Sequence, residues 1–136
     1  MSSAKTYMQS IIAAVENEGY TFTDEFFDFD NVPTSGDDEV YRIEAKTGEI
    51  SGLSGSRVEK RKAFDIWIAF KLASGSNRKQ DTYDVLDAKE ALEDDILQAI
   101  SGIQVKILED IMSPIKSDYI LVKRTGELIY WRDLST

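Results

Sequence analysis

The sequence contains neither cysteine nor histidine, and each absence excludes a group of functions. Without cysteine there are no disulfides, thiolate nucleophiles, iron–sulfur clusters or zinc fingers. Without histidine, Ser-His-Asp catalysis, imidazole acid–base chemistry and most transition-metal sites are excluded. Any catalysis therefore has to come from carboxylate, lysine, tyrosine or serine groups.

Basic residues are scarce relative to acidic ones. The 136 residues include 16 Lys and Arg against 25 Asp and Glu, which gives a formal net charge of −9. Phosphate contacts require a basic surface, so this balance disfavours a specific nucleic-acid binder. A long apolar run is also missing, because no segment approaches the ~20 residues of a membrane span and the N-terminus has no signal core. We therefore expect no membrane association and a cytosol-like compartment.

Length and composition are typical of one globular domain. Hydrophobic residues make up 42% of the chain and charged residues 30%. A chain of this size buries about two-thirds of its unfolded surface, which is enough for a core without disulfides or metals. We therefore expect a single domain over residues 1–136.

Two segments have the periodicity of amphipathic helices. Apolar residues spaced i, i+3, i+4 predict the first helix over residues 3–18, and Gly19 is suited to end it. The second helix is predicted over residues 82–101, with Leu86 and Leu97 widening its apolar stripe. Its many carboxylates predict a solvated outer face.

Alternating apolar and polar residues predict strands at 40–44 and 62–72, the second of them central in the sheet. Residues 119–131 are predicted to form a hairpin that turns at Arg124-Thr125-Gly126, whereas residues 102–115 fit neither period. Residues 21–39 predict a short strand and a loop. The Gly- and Ser-rich residues 45–61 predict a long, flexible hairpin arm. The fold class is therefore α+β, a mainly antiparallel sheet with two helices packed on one face and a long hairpin arm.

One short motif has a possible catalytic reading. Glu44-Ala45-Lys46 follows an acidic residue such as Asp37 or Asp38, as in nucleases where carboxylates hold Mg²⁺ and a lysine steadies the phosphate. So short a pattern usually marks only a charged strand end. The acidic run at residues 24–38 lacks the spacing of a calcium loop and is interpreted as a solvated loop. We therefore predict no catalytic site, no metal and no cofactor.

Several apolar and basic residues are candidates for contacts with a partner. The basic cluster at residues 57–62 fits nucleic acid, protection of a strand edge, or a complementary surface on another copy, and the last is favoured in a chain that also has acidic patches. Phe26 and Phe27 are adjacent, so in an extended strand only one faces inward. The candidate contact residues are Phe26, Phe27, Ile50, Leu53, Arg57, Lys60 and Arg61.

The order of these segments resembles the tail terminator (tail completion) proteins of long-tailed bacteriophages. The resemblance covers nearly the whole chain. It consists of the opening amphipathic helix, the aromatic acidic segment Phe26-Phe27-Asp28-Phe29-Asp30-Asn31-Val32-Pro33, the strand and arm at 40–61, the long strand at 62–72, the helix at 82–100 and the terminal hairpin.

The resemblance implies a structural role. Proteins of this family have an α+β fold, form a hexameric ring on the tail tube, stop its polymerisation and provide the surface to which the head connector joins. It implies no enzyme and no cofactor, and its partners would be further copies, the tail tube protein and the connector, with genome DNA passing through the ring. The expected location is the virion, and the host cytoplasm during assembly. The alternatives are another head–tail connector or minor tail protein, an acidic inhibitor of a host protein, and a magnesium-dependent nuclease using Glu44 and Lys46.

Overall fold

The computed structural model describes residues 3–73, 75–99 and 104–134, and for residues 47–54 it describes only the backbone. The chain is α+β, with two helices on one face of a five-stranded sheet of order β1-β2-β3-β5-β4. All neighbouring strands are antiparallel except β1 and β2. The elements are α1 (Ala4–Asn17), β1 (Thr21–Phe22), β2 (Val40–Ser54), β3 (Arg57–Lys71), α2 (Arg78–Gln98), β4 (Gln104–Met112) and β5 (Tyr119–Asp133).

Helix α1 matches its prediction. The Ser3 hydroxyl caps its start by accepting a hydrogen bond from the Thr6 backbone N–H at 3.4 Å. Gly19 follows its end with φ +98°, a left-handed conformation that favours glycine. Ile11 and Val15 are its fully buried residues, and they pack on the sheet.

Helix α2 begins at Arg78, which is earlier than predicted. Asn77 caps it, because its side-chain oxygen accepts from the Gln80 backbone N–H at 3.2 Å. The prediction that Leu86 and Leu97 widen the buried stripe is wrong, since they are 46% and 42% exposed. The helix buries a narrower face made of Val85, Leu92 and Ile96.

The alternation of the central strand β3 was predicted correctly, but the strand begins at Arg57, five residues before the predicted start, and ends at Lys71. Phe64, Ile66 and Ile68 lie in the main core beneath the helices. The intervening side chains face the other way, where Trp67 and Ala69 belong to a second apolar cluster. That cluster is closed by a segment of the loop before β2, with Phe27 at its centre and Phe29 and Val32 packed against it.

Strand β5 corrects the predicted terminal hairpin. It is one continuous strand, and Arg124-Thr125-Gly126 is paired with β3 instead of turning. Gly126 lies opposite Phe64, where an added Cβ would come within 2.4 Å of the Phe64 Cζ. Arg124 is buried under α2, and its Nη2 donates to the Lys89 carbonyl at 2.9 Å. Glycine here makes room for a ring, and the arginine contacts a helix.

The predicted arm is a paired hairpin. The backbone of β2 and β3 is paired from Val40 and Ala69 out to Ser54 and Arg57, with bulges in β2 after Ala45 and after Ile50. A two-residue connection at 55–56 joins the strands. The predicted flexibility of the arm stays a prediction. The ambiguous segment after α2 contains β4, which forms the sheet edge beside β5.

Candidate functional site

A row of cationic and aromatic side chains crosses the sheet on the face opposite the helices. Arg42 on β2, Trp67 on β3 and Lys123 on β5 are register neighbours. The guanidinium carbon of Arg42 lies 4.7 Å from the Trp67 ring centroid, and the Lys123 Nζ lies 5.3 Å from it. Phe26 extends the row, because its ring centroid is 4.6 Å from the same guanidinium carbon. The cations hold the rings in place through the attraction of positive charge to the ring face.

Phe26 and Phe27 have opposite environments. Phe27 is fully buried in the second apolar cluster, whereas Phe26 is 60% exposed. The Arg42 Nε donates to the Phe27 carbonyl at 2.7 Å and so fixes the backbone at Phe27. Both were predicted contact residues; Phe27 has its ring enclosed by the core, and Phe26 is the member of the pair that faces outward.

The predicted basic cluster at residues 57–62 is divided between the two faces of β3. Lys60 and Lys62 pair with core residues of β5 and therefore lie on the helix side. Arg57 and Arg61 lie on the opposite side, because successive side chains of a strand alternate. The cluster is thus two small patches back to back.

Each arginine of the arm is held by a neighbour on its own face. The Arg61 guanidinium nitrogens lie 3.4 Å from Glu59 Oε1 and 3.3 Å from Glu127 Oε1. The guanidinium carbon of Arg57 lies 5.5 Å from the Trp131 ring centroid. Contacts of this kind at a protein surface contribute about 0–1 kcal/mol, so they orient the side chains more than they stabilise the fold.

The remaining contact candidates lie in the outer part of β2. The backbones of Ile50 and Leu53 pair with Lys60 and Val58. Their side chains lie outside the described residues, so their role as contact residues stays a prediction.

Glu44 and Lys46, the residues of the nuclease hypothesis, each form an ion pair within the chain. Glu44 Oε1 accepts from the Arg42 Nη1 at 2.6 Å. The Lys46 Nζ lies 3.1 Å from Asp65 Oδ2, and the Thr125 hydroxyl donates to the other oxygen of Asp65 at 2.6 Å. Asp65 is 1% exposed, so these two partners satisfy a buried carboxylate.

The acidic companions of that motif lie at the other end of the strands. The Asp37 carbonyl accepts from the Tyr119 hydroxyl at 2.8 Å, and Asp38 accepts from the Lys71 backbone N–H at 2.7 Å. Lys71 and Asp65 are separated along β3 by roughly 20 Å at the usual strand rise. Among the described residues, no group of three or more acidic side chains has the arrangement of a metal site.

The acidic loop before β2 uses its carboxylates to hold its own shape. Glu25 accepts from the hydroxyl and the backbone N–H of Thr34 and from the Ser35 N–H, and these hydrogen bonds lower the pKa of Glu25 to about 2. Asp28 accepts from the Asn31 side chain at 2.8 Å, which lowers its pKa as well. The run is therefore a loop, as predicted, but Glu25 and Asp28 also accept hydrogen bonds from other residues of the same loop.

An open groove of about 550 Å³ lies between α1 and strands β2 and β3. Met8, Ile12 and Ile43 contribute to its apolar lining, and Lys5 and Lys62 stand at its rim. The sequence did not predict it. The one feature of the sequence that could have indicated the groove is the width of the apolar stripe of α1. The stripe alone does not predict a groove, because the groove also depends on the distance between the helix and β2.

None of the helices within residues 3–73, 75–99 and 104–134 is long and apolar enough to cross a membrane. No protein-family model matches the chain. No curated protein matches it either. Among solved structures, the chain is distantly similar to a protein of Akkermansia muciniphila whose structure is described as lacking its transmembrane region. The identity is 9%, the match covers 95% of this chain and 82% of the other, and the TM-score of 0.39 is too low to support an argument.

Proposed function

We propose that this chain is a structural virion protein that closes the tail tube of a long-tailed bacteriophage as a ring of six copies. In this role it stops polymerisation of the tube protein and provides the joining surface for the head connector. The chain acts by assembly, without a catalytic step or a cofactor. Genome DNA passes through the ring, and the net charge of −9 suits that passage because like charges repel.

The observation that carries the proposal is the length of the three inner strands. β2, β3 and β5 have 15 residues each, whereas strands of globular domains commonly have about 5–6. At the usual rise, 15 residues span about 50 Å. The core follows β5 out to Tyr130, but residues 59–63 of β3 are only half-buried, so part of this outer region is available for a neighbour.

The burial pattern along β3 supports the same reading. Residues 64–70 are all buried, whereas residues 59–63 are half-buried and mostly charged. Charged residues that are half covered within one copy can be covered further by a second copy, and complementary charge then sets the register of the two. The order of elements from α1 to α2 supports the resemblance to the tail terminators, from which the proposed biological setting is taken, whereas the terminal hairpin of that resemblance is the single strand β5.

Removal of the outer arm tests the proposal. Gly48 and Lys62 are register partners, so residues 49–61 can be replaced by Asn-Gly, which favours a two-residue hairpin turn. We expect a folded monomer by circular dichroism and sedimentation, while the intact chain forms rings in electron micrographs. The shortened chain should be less stable, because the deletion removes buried Val58 and the strand partners of Ile129 and Tyr130. A control with Asn-Gly in place of Gly55-Ser56 keeps the arm length and should still assemble.

Rings that persist after the deletion would remove the arm from the mechanism. Immunogold labelling of long-tailed bacteriophage particles then tests the location. Label at the head-proximal end of the tail tube is expected. Label on the head connector would favour the alternative joining protein, and its absence from tailed particles would overturn the proposal.

A further inference from the structure

The groove beside α1 is apolar inside and positively charged at its rim. Met8, Ile12 and Ile43 are partly buried residues of its lining. Lys5 and Lys62 stand beside them, and neither has an acidic partner among the described residues. Lys46 and Glu16 also line the groove, and Lys46 is neutralised by its ion pair with Asp65. The chain as a whole has a net charge of −9, so the groove differs from it in having more positive than negative side chains.

The outer face of α2 has exposed apolar side chains together with carboxylates, which complement the apolar interior and the lysines of the groove. Tyr83, Leu86 and Leu97 are 52%, 46% and 42% exposed. Spacings of three and four residues place them on one side of the helix, opposite its buried face. The exposed carboxylates on that same side are Asp87, Glu90 and Asp94. We call these six residues the α2 stripe.

The groove and the α2 stripe lie toward opposite edges of the sheet. The groove is lined by β2 and β3, near one edge. Helix α2 lies over the other edge, where Lys89 approaches Asp110 of β4 at 3.0 Å and Arg124 of β5 donates to the Lys89 carbonyl. Two different, complementary surfaces on opposite sides of one subunit are what a head-to-tail interface requires, and such interfaces close into rings when the rotation allows.

The strand edges themselves are less suited to pairing between copies. β2 has register shifts after Ala45 and after Ile50, and β4 has one after Ile107. Bulges of this kind twist and interrupt an edge and so discourage continuation of the sheet. Contacts through side chains are therefore favoured over a shared sheet.

We propose that the α2 stripe of one copy docks in the α1–β2 groove of the next copy. Apolar residues of the stripe, led by Leu86, enter the groove, and its carboxylates meet Lys5 and Lys62 at the rim. This inference rests on the proposed ring and adds a second subunit contact to the one proposed for the arm. The occupant is a second copy because both surfaces belong to this chain and their charges are opposite.

Disulfide trapping tests the contact directly, since the chain has no cysteine of its own. The double variant Met8→Cys/Leu86→Cys should give a ladder of covalent oligomers under mild oxidation that ends in one closed species. The matched control Ile115→Cys/Leu86→Cys keeps the α2 position and moves the other cysteine to the exposed loop after β4. It should give no ladder.

The possible outcomes separate the docking contact from the ring itself. Equal ladders from both variants, or none from Met8→Cys/Leu86→Cys while electron micrographs show rings, would overturn the docking contact and leave the ring in place. No ladder together with only monomers at every concentration would overturn both.

Charge reversal gives an independent test. Lys5→Glu/Lys62→Glu should raise the concentration needed for assembly at least tenfold, and so should Asp87→Lys/Glu90→Lys. An equal mixture of the two variants should recover assembly, because alternating copies then pair every reversed surface with its complement. Lys106→Glu/Lys116→Glu, which changes the net charge equally outside the groove, should assemble as the original chain does. Failure of the mixture to recover would contradict the contact.

Discussion

The two ends of the long sheet are built differently. At the covered end, residues 64–70 of β3 are buried on both faces, by the helices on one side and by the loop around Phe27 on the other. At the arm end, residues 59–63 are half-buried and the outward face has a ladder of Glu59, Arg61 and Glu127. Side chains of β3 alternate between the two faces at both ends. At the covered end they are mostly apolar and form the core, whereas at the arm end residues 59–63 are mostly charged.

This difference predicts that the two ends contribute unequally to the stability of the fold. Burial of a large apolar side chain contributes about 1.5–3 kcal/mol, whereas an exposed ion pair contributes about 0–1 kcal/mol. The covered end therefore contributes most of the stability, and changes to the charged side chains of the arm should have little effect on unfolding.

The largest effect is expected at the neighbouring rings of the covered end. Phe27→Ala empties a fully buried position and should lower the free energy of unfolding by about 3–5 kcal/mol. Phe26→Ala, one residue away, removes an exposed ring over Arg42 and should cost about 1 kcal/mol or less. Urea denaturation measures both. Similar losses of unfolding free energy in the two variants would contradict the distinction between the buried ring of Phe27 and the exposed ring of Phe26.

A second effect is expected where the covered end passes into the arm. Gly126→Ala places a methyl group against the Phe64 ring and should destabilise the chain by about 1–3 kcal/mol. The double variant Phe64→Leu/Gly126→Ala removes the ring and should lose less than the sum of the single variants. Thermal unfolding of the four chains measures this coupling, and strict additivity would contradict the close approach.

Two carboxylates provide a matched comparison between the ends. Asp65→Ala removes the buried partner of Thr125 and Lys46, and should cost about 1–2 kcal/mol because the hydroxyl loses its acceptor. Glu127→Ala removes one partner of Arg61 in the arm and should cost less than about 1 kcal/mol. Equal losses in urea denaturation would contradict the assignment of stability to the covered end.

The smallest effect concerns the loop that covers Phe27. The pKa of Glu25 is lowered to about 2 from its ordinary value of 4.5, so its stabilising contribution is present above that ordinary value and is lost as pH falls toward 2. Hydrogen exchange of the Thr34 and Ser35 amides should therefore be slower in the original chain than in Glu25→Gln at neutral pH. The two chains should converge at about pH 2. A difference that stays constant with pH would contradict the carboxylate bonds.

Much of the fold was predictable because its local signals agree with its tertiary packing. The apolar stripe of α1 and the alternation of β3 each have one dominant period, and the structure follows both. The terminal strand was misread because Arg124 and Gly126 are typical of a turn, whereas one contacts α2 and the other accommodates Phe64. Both residues are explained by elements distant in sequence, which no local pattern contains.

The candidate surfaces were predicted less well for the same reason. The basic residues 57–62 were found by composition, but only the strand register divides them between two faces. The groove depends on the distance between α1 and β2. The exposed Leu86 and Leu97 were read as core because the depth to which α2 is buried is set by the sheet beneath it.

Native mass spectrometry of the intact chain over a range of concentrations tests most directly whether copies close into a ring. We predict a monomer at low concentration that converts to one closed species, of six copies by the tail-terminator resemblance, without larger oligomers. A monomer at every concentration, or an open series of oligomers that grows without limit, would contradict the ring.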